Sequence, residues 1–146
     1  MLKLTLKPKH TITGIAGGKN SAALYLRKYM LNKGAVFTLK LMEIFNRHHV
    51  SYEHMPSGID DLTVIFKKDA LSDQLIDVIC NEIQTSLNHD QMQWIDDYAI
   101  TMVVGEGMKD KLTLCASILY PLGKKDISIQ MINQGASQKA SSASRT

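Results

Sequence analysis

The segment Asn32-Lys33-Gly34-Ala35-Val36-Phe37-Thr38 leads into an amphipathic helical pattern. At a helix start the first backbone amides have no partner within the helix, and the dipole favours an anion. A carboxylate can therefore rest on the amides of Lys33, Gly34, Ala35, Val36, Phe37 and Thr38. Glu53 lies in the strand-like stretch that follows, and Asp60 and Asp61 lie in the turn after it. These acids suit an ammonium, so the group as a whole suits an amino acid. The same acids read equally well as ordinary surface carboxylates, and pattern alone does not separate the two readings.

Other chemistries fit less well. Gly14-Ile15-Ala16-Gly17-Gly18-Lys19-Asn20-Ser21 resembles a phosphate loop, but Thr13 stands where that motif needs Gly and Asn20 where it needs Ser or Thr. The residues after it alternate like a strand, so no helix dipole would face a phosphate. His48, His49 and His54 are not spaced to place three metal ligands on one face, and read as a solvated helix end with one strand histidine. No Ser, His and acid grouping suggests nucleophilic catalysis. An RNA-reading sheet needs paired aromatics, whereas aromatics are 6% of this chain and Tyr25, Tyr52 and Phe66 form no such motif.

The elements that must position these residues follow from periodicity. Thr11–Ile15 is a short β-rich run, and Gly17-Gly18 reads as a break after it. Ser21–Tyr29 alternates as a strand. Leu39, Met42 and Phe45 recur at helical spacing, with an end near Arg47-His48-His49, where cations suit the dipole. Val50–Met55 and Leu62–Phe66 read as strands around the turn Pro56-Ser57-Gly58. Ser72 is placed to cap a helix with Leu75, Ile76, Ile79 and Ile83 as its apolar stripe, and Gln91–Ile95 reads as the next strand. This order, βαββαβ, is ferredoxin-like. A second series starts with a strand at Tyr98–Val104, a helix at about Leu112–Leu119 meeting Pro121, and a strand at Ile127–Ile132.

The second series repeats the first at an offset of 77 residues. Val50–Gly58 falls on Ile127–Gly135, Ala22–Leu26 on Ala99–Val103, and Phe37–Phe45 on Leu114–Leu122. The period is too long for a solenoid and implies two copies of one α+β module. Beyond Gly135 the apolar pattern stops, so the second copy reads as truncated, and residues 138–146 read as a Ser/Ala-rich tail. Thr11–Ile15 is a spare strand able to complete it. The expected division is residues 1–9 as linker, 20–96 as the first module, and 10–16 with 97–137 as the second.

The chain of 146 residues is 45% hydrophobic and 21% charged, the composition of a soluble protein. A net charge of +3 with scattered basic residues gives no argument for nucleic acid, and no apolar run is long enough to span a membrane. Cys80 and Cys115 each sit within an apolar helical pattern and read as buried free thiols of a reducing cytoplasm.

Three strings resemble the regulatory region of aspartate kinases: Ser51-Tyr52-Glu53-His54-Met55-Pro56-Ser57-Gly58-Ile59-Asp60-Asp61, Val103-Val104-Gly105-Glu106-Gly107-Met108 and Met131-Ile132-Asn133-Gln134-Gly135-Ala136-Ser137. The wording of Tyr52-Glu53-His54 and Lys28-Tyr29-Met30-Leu31-Asn32 is most similar to the lysine-sensitive branch. The resemblance implies a tandem pair of ACT domains, the first inserted in the second. It implies a homodimer through those domains, and an end-product amino acid bound at an ACT–ACT interface. Lysine is the expected effector and threonine the runner-up. Ser51 and Glu53 match strand positions that hold the effector, with backbone atoms of Tyr52 lining the pocket. Phe37 matches the ligand loop, while Val36 stands where the family has Gly.

The resemblance further implies a parent protein that phosphorylates aspartate with ATP. ATP and Mg belong to its kinase domain, whose Lys-Phe-Gly-Gly strand has no counterpart here, so this chain is expected to need no cofactor and to be inactive alone. The other reading is a free-standing ACT protein that binds an amino acid.

Overall fold

The computed structural model describes residues 12–105, 113–134 and 139–145, the last with backbone alone. The expected linker at 1–9, and parts of the strings at 106–108 and 135–137, lie outside the described residues. The chain divides into two compact units: Asn20–Asp97, and a second drawn from the chain on either side of it.

In the unit 20–97, the second half of strand β1 (Gly14–Arg27) pairs antiparallel with β2 (Asp61–Lys67), Ser21 opposite Lys67 and Arg27 opposite Asp61. The first half of β3 (Gln91–Val104) flanks β1 on its other side, and the Asp90 amide donates to the Arg27 carbonyl at 2.8 Å. Residues 53–58 follow the outer edge of β2 through bridges at His54–Ile65 and Ser57–Leu62. Leu62, Val64 and Phe66 of β2 alternate onto one face with Leu24 and Leu26 of β1. Helix α1 (Ala35–Arg47) covers that face with Phe37, Leu41, Ile44 and Phe45, and α2 (Asp73–Ser86) with Ile79 and Ile83. This spacing of three and four residues is the helical apolar stripe. Phe66 sits at the centre, edge-on to Phe45 at 5.4 Å and stacked on Trp94 at 5.5 Å. The Ser72 hydroxyl accepts the Leu75 amide at 3.2 Å, so the expected cap is present.

The second unit takes the first half of β1, the Tyr98–Val104 half of β3, α3 (Leu114–Gly123), β4 (Ile129–Gln134) and β5 (Lys139–Arg145). Its strand order is β1-β3-β5-β4. Tyr98 lies opposite Arg145, Ile129 opposite Ser144, and a bulge falls between Ile129 and Met131. Val103, Leu114 and the partly buried Ile118 pack together. The fold is α+β and ferredoxin-like, with helices on antiparallel sheet.

Left-handed residues recur at a spacing of 77. Asn20 and Asp97 have φ of 62° and 65°, and His49 and Asp126 both have φ of 54°. His49 and Asp126 each end a helix the same way. The His49 amide donates to Asn46 at 3.1 Å and Val50 to Phe45 at 2.9 Å; Asp126 donates to Gly123 at 3.1 Å and Ile127 to Leu122 at 3.2 Å. This is the Schellman pattern, with His and Asp in the left-handed place that usually holds Gly.

The structure departs from the sequence reading in six places. Gly17-Gly18 does not break the chain: β1 is one strand of 14 residues, because Thr13 to Gly17 lie beside Val104 to Ile100 of β3. Gln91–Ile95 and Tyr98–Val104 are likewise one strand. Val50–Met55 is no regular strand; pairing on β2 starts only at Glu53, whose amide donates to Ile65 at 2.8 Å. Residues 139–145, expected as tail, form β5 between β3 and β4. Pro121 lies within α3 instead of ending it: its fixed φ suits a helix, at the loss of one amide bond. Cys115 is exposed on α3, and Cys80 is half-buried.

Candidate functional site

The site starts where β1 ends. Lys28 donates to the Asp60 carbonyl at 2.8 Å and Asn32 to the Ile59 carbonyl at 3.1 Å, so the loop after β1 is stitched to the turn before β2. Met30 between them is left-handed, with φ of 57°, and its amide donates to Oδ1 of Asp60 at 2.8 Å. The Asp90 carboxylate accepts the Tyr29 amide at 2.6 Å. Two carboxylates thus fix the loop that delivers the chain to α1. Sequence reasoning missed Asp90 in this role, and read Asp60 as a ligand contact.

Leu31–Lys33 then forms one 3-10 turn, and Gly34 stands at the N-cap of α1 with no side-chain cap. Not all six amides of the proposed anion site are open. Lys33 donates to Met30 at 3.0 Å, Gly34 to Leu31 at 2.9 Å and Phe37 to Gly34 at 3.0 Å. Among the described residues, the amides of Ala35, Val36 and Thr38 make no backbone hydrogen bond to the loop before them. Phe37 is buried in the core, while Val36 is 58% exposed and helical, so its Cβ strains nothing here. Lys33 and Ala35 are exposed, and Gly34 and Thr38 half-buried.

Of the expected acids, Asp60 and Asp61 lie at this end. The Asp61 carboxylate lies over Gly58, where a Cβ would collide with it, and the Asp61 carbonyl accepts the Gly58 amide at 2.9 Å. Ser51, Tyr52 and Glu53 are exposed and lie elsewhere. Glu53 bonds to Ile65, four residues along β2 from Asp61, about 13 Å at strand spacing. The Tyr52 ring lies 6.5 Å from Phe45, which is in the last turns of α1. The structure therefore brings Asp60 and Asp61 to the helix start, and leaves Ser51, Tyr52 and Glu53 on the same edge toward its far end.

At that far end Glu82 of α2 meets the Arg47 guanidinium in the last turn of α1 and the ring Nε2 of His48, the residue that caps it, at 2.5 Å. The His48 hydrogen bond, more than Arg47, holds the Glu82 carboxyl below the usual range. Just past the C-terminal end of β2, Lys68 binds Asp96 of β3 at 2.9 Å, and Asp96 also accepts the Trp94 indole N–H at 3.1 Å. The Lys68 bond holds Asp96 low and, in turn, Lys68 high. The described residues contain no cluster of acids, histidines and cysteines able to hold a metal. No described helix is long and apolar enough to cross a membrane.

Comparison with known proteins bears on the fold. The family model "ACT domain" matches residues 102–143. Aspartokinase 3 of Bacillus subtilis (strain 168) is 32% identical over 127 residues, covering 87% of this chain and 28% of that protein. The crystal structure of Clostridium acetobutylicum aspartate kinase is 34% identical, with a TM-score of 0.86 over 93% of this chain and 31% of that one. The regulatory subunit of aspartate kinase from Thermus flavus shares the fold at 15% identity, with a TM-score of 0.77 over 93% of this chain and 90% of that one. The chain thus spans under a third of the two full-length kinases it matches. Its fold is the ACT fold, and over most of its length it is similar to one part of two aspartate kinases.

Proposed function

We propose that this chain is the amino-acid-sensing regulatory region of an aspartate kinase, with lysine as feedback inhibitor. The observation that carries the proposal is the 32% identity to an aspartokinase over 87% of this chain, confined to 28% of that enzyme. The parent protein would transfer phosphate from ATP to the side-chain carboxylate of aspartate, in the cytoplasm. This chain alone should not do so, and a coupled assay yielding aspartyl phosphate from it would overturn the proposal.

The two units would be tandem ACT domains. The support is the repeat of strand order, and of two left-handed residues, at an offset of 77 residues. The effector would place its carboxylate on the amides of Ala35 and Val36 and its ammonium near Glu53. Asp61, beside the helix start, and Glu53 lie about 13 Å apart along β2, farther than a lysine side chain reaches, so this reading takes the two from different copies. We therefore propose a homodimer whose second copy completes the site along residues 51–58, which lie outside β2 at the margin of the sheet, since sheet edges invite pairing. Asp60, committed to Met30, is a support for the loop and not a ligand contact.

Titration calorimetry with lysine and threonine tests this. A charge-assisted bond is worth about 1.5–3 kcal/mol, so Glu53→Ala should weaken lysine roughly tenfold or more. Threonine, with no distal ammonium, should lose less. Equal losses would refute the role of Glu53, and no binding of either amino acid by the wild type would refute the sensing site.

A further inference from the structure

Asn20 and Asp97 stand opposite one another. Thr13 faces Val104 and Asp90 faces Arg27 across the β1–β3 ladder, and the antiparallel register between these ends sets Asn20 beside Asp97. Both are left-handed, with φ of 62° and 65°, in the middle of strands of 14 residues each. Such a conformation turns the strand out of its pleat, and asparagine and aspartate are the L residues that tolerate it best. Burial changes at the same place: Ile15 to Asn20 are all exposed, while Ser21 to Leu24 are all buried. Asn20 is also tied down, its Nδ2 donating to Asp69.

We propose that the Asn20–Asp97 rung is a break built into this ladder, at which residues 20–27 with 90–97 open independently of residues 13–19 with 98–104. Ordering one stretch then need not order the other. This stands on backbone geometry alone and does not depend on the ligand proposed above.

Amide exchange on the full chain, followed by NMR, tests it. Cα and Cβ shifts of Asn20 and Asp97 should report left-handed backbone; extended values would overturn the proposal. Amides of Ser21–Leu26 and of Tyr98–Val103 should fall into two exchange classes, and a single shared class would overturn it. Asn20→Gly and Asn20→Val both lose the bond to Asp69, so their difference isolates backbone preference. Valine strongly disfavours the left-handed state, and amides flanking the rung should exchange about tenfold faster in Asn20→Val than in Asn20→Gly. Equal rates in the two variants would overturn the proposal, whereas the slow amides of Leu24 and Leu26 show that each variant is folded.

Discussion

Removing the Asp60 carboxylate should release Met30 while leaving the core of its unit in place. Left-handed backbone costs an L residue about 1–2 kcal/mol, and Met30 has no glycine freedom to avoid it. The opposing term is the 2.8 Å bond from its amide to Oδ1 of Asp60. A bond to a charged acceptor contributes about 1.5–3 kcal/mol, and the lower value suits this exposed position. The two are of similar size, so the bond is what makes the conformation tolerable. In Asp60→Ala the cost persists without the gain. The flanking bonds from Lys28 and Asn32 are to backbone carbonyls and survive the substitution. Hydrogen exchange at the Met30 amide should therefore accelerate roughly tenfold, the equivalent of about 1.4 kcal/mol. Leu24 and Leu26 amides should keep their rates. Asp60→Asn, a neutral acceptor, should fall between, and adding Met30→Gly to Asp60→Ala should slow exchange at Leu31 again. An unchanged Met30 rate in Asp60→Ala would refute the reasoning, as would a uniform acceleration across β1.

Phe66→Ala, emptying a site 1% exposed between Phe45 and Trp94, should destabilise the unit 20–97 by about 3–5 kcal/mol in urea unfolding followed by fluorescence of the single tryptophan. Because the folded Glu82 carboxyl is held below its ordinary 4.5, its contribution is complete above that value and is lost as pH falls through the lower folded value. Glu82→Gln should accordingly lower stability most at neutral pH and flatten the acid limb below about pH 4.5, so that thermal melts of the two proteins converge as pH falls. A thiol reagent should modify exposed Cys115 quickly and Cys80 slowly, because burial, with Asp77 second, pushes the Cys80 thiol up; mass mapping of the first adduct checks this.

Where periodicity was strong, the sequence was enough. The stripes of α1 and α2, the alternation of Leu62–Phe66 and the cap at Ser72 are local, and packing agrees with them. What failed was set by pairing at a distance. Gly17-Gly18 has the composition of a break, yet a strand on β3 holds it extended. Lys139–Arg145 has no apolar alternation and is a strand because β3 and β4 stand on both sides of it. Its signal was present in the repeat: Asp61–Lys67, moved 77 residues, falls on 138–144. The acids at the site were legible as residues but not as partners. Whether a carboxylate meets a ligand or the chain's own amide, as Asp60 meets Met30, depends on a loop conformation that no spacing encodes.

The half of β1 before Asn20 is made early and paired late. Residues 14–19 leave the ribosome some 80–90 residues ahead of 98–104, the half of β3 they join, an interval on the order of 5–20 s at ordinary synthesis rates. The unit 20–97 can complete itself within that interval, leaving residues 14–19 unpaired. A hydrophobic strand in that position would be an aggregation hazard. Gly14-Ile15-Ala16-Gly17-Gly18-Lys19 has three glycines, a lysine and one large apolar side chain, a poor template for stray pairing. The glycines that disguise this strand in the sequence are what let it wait safely during translation.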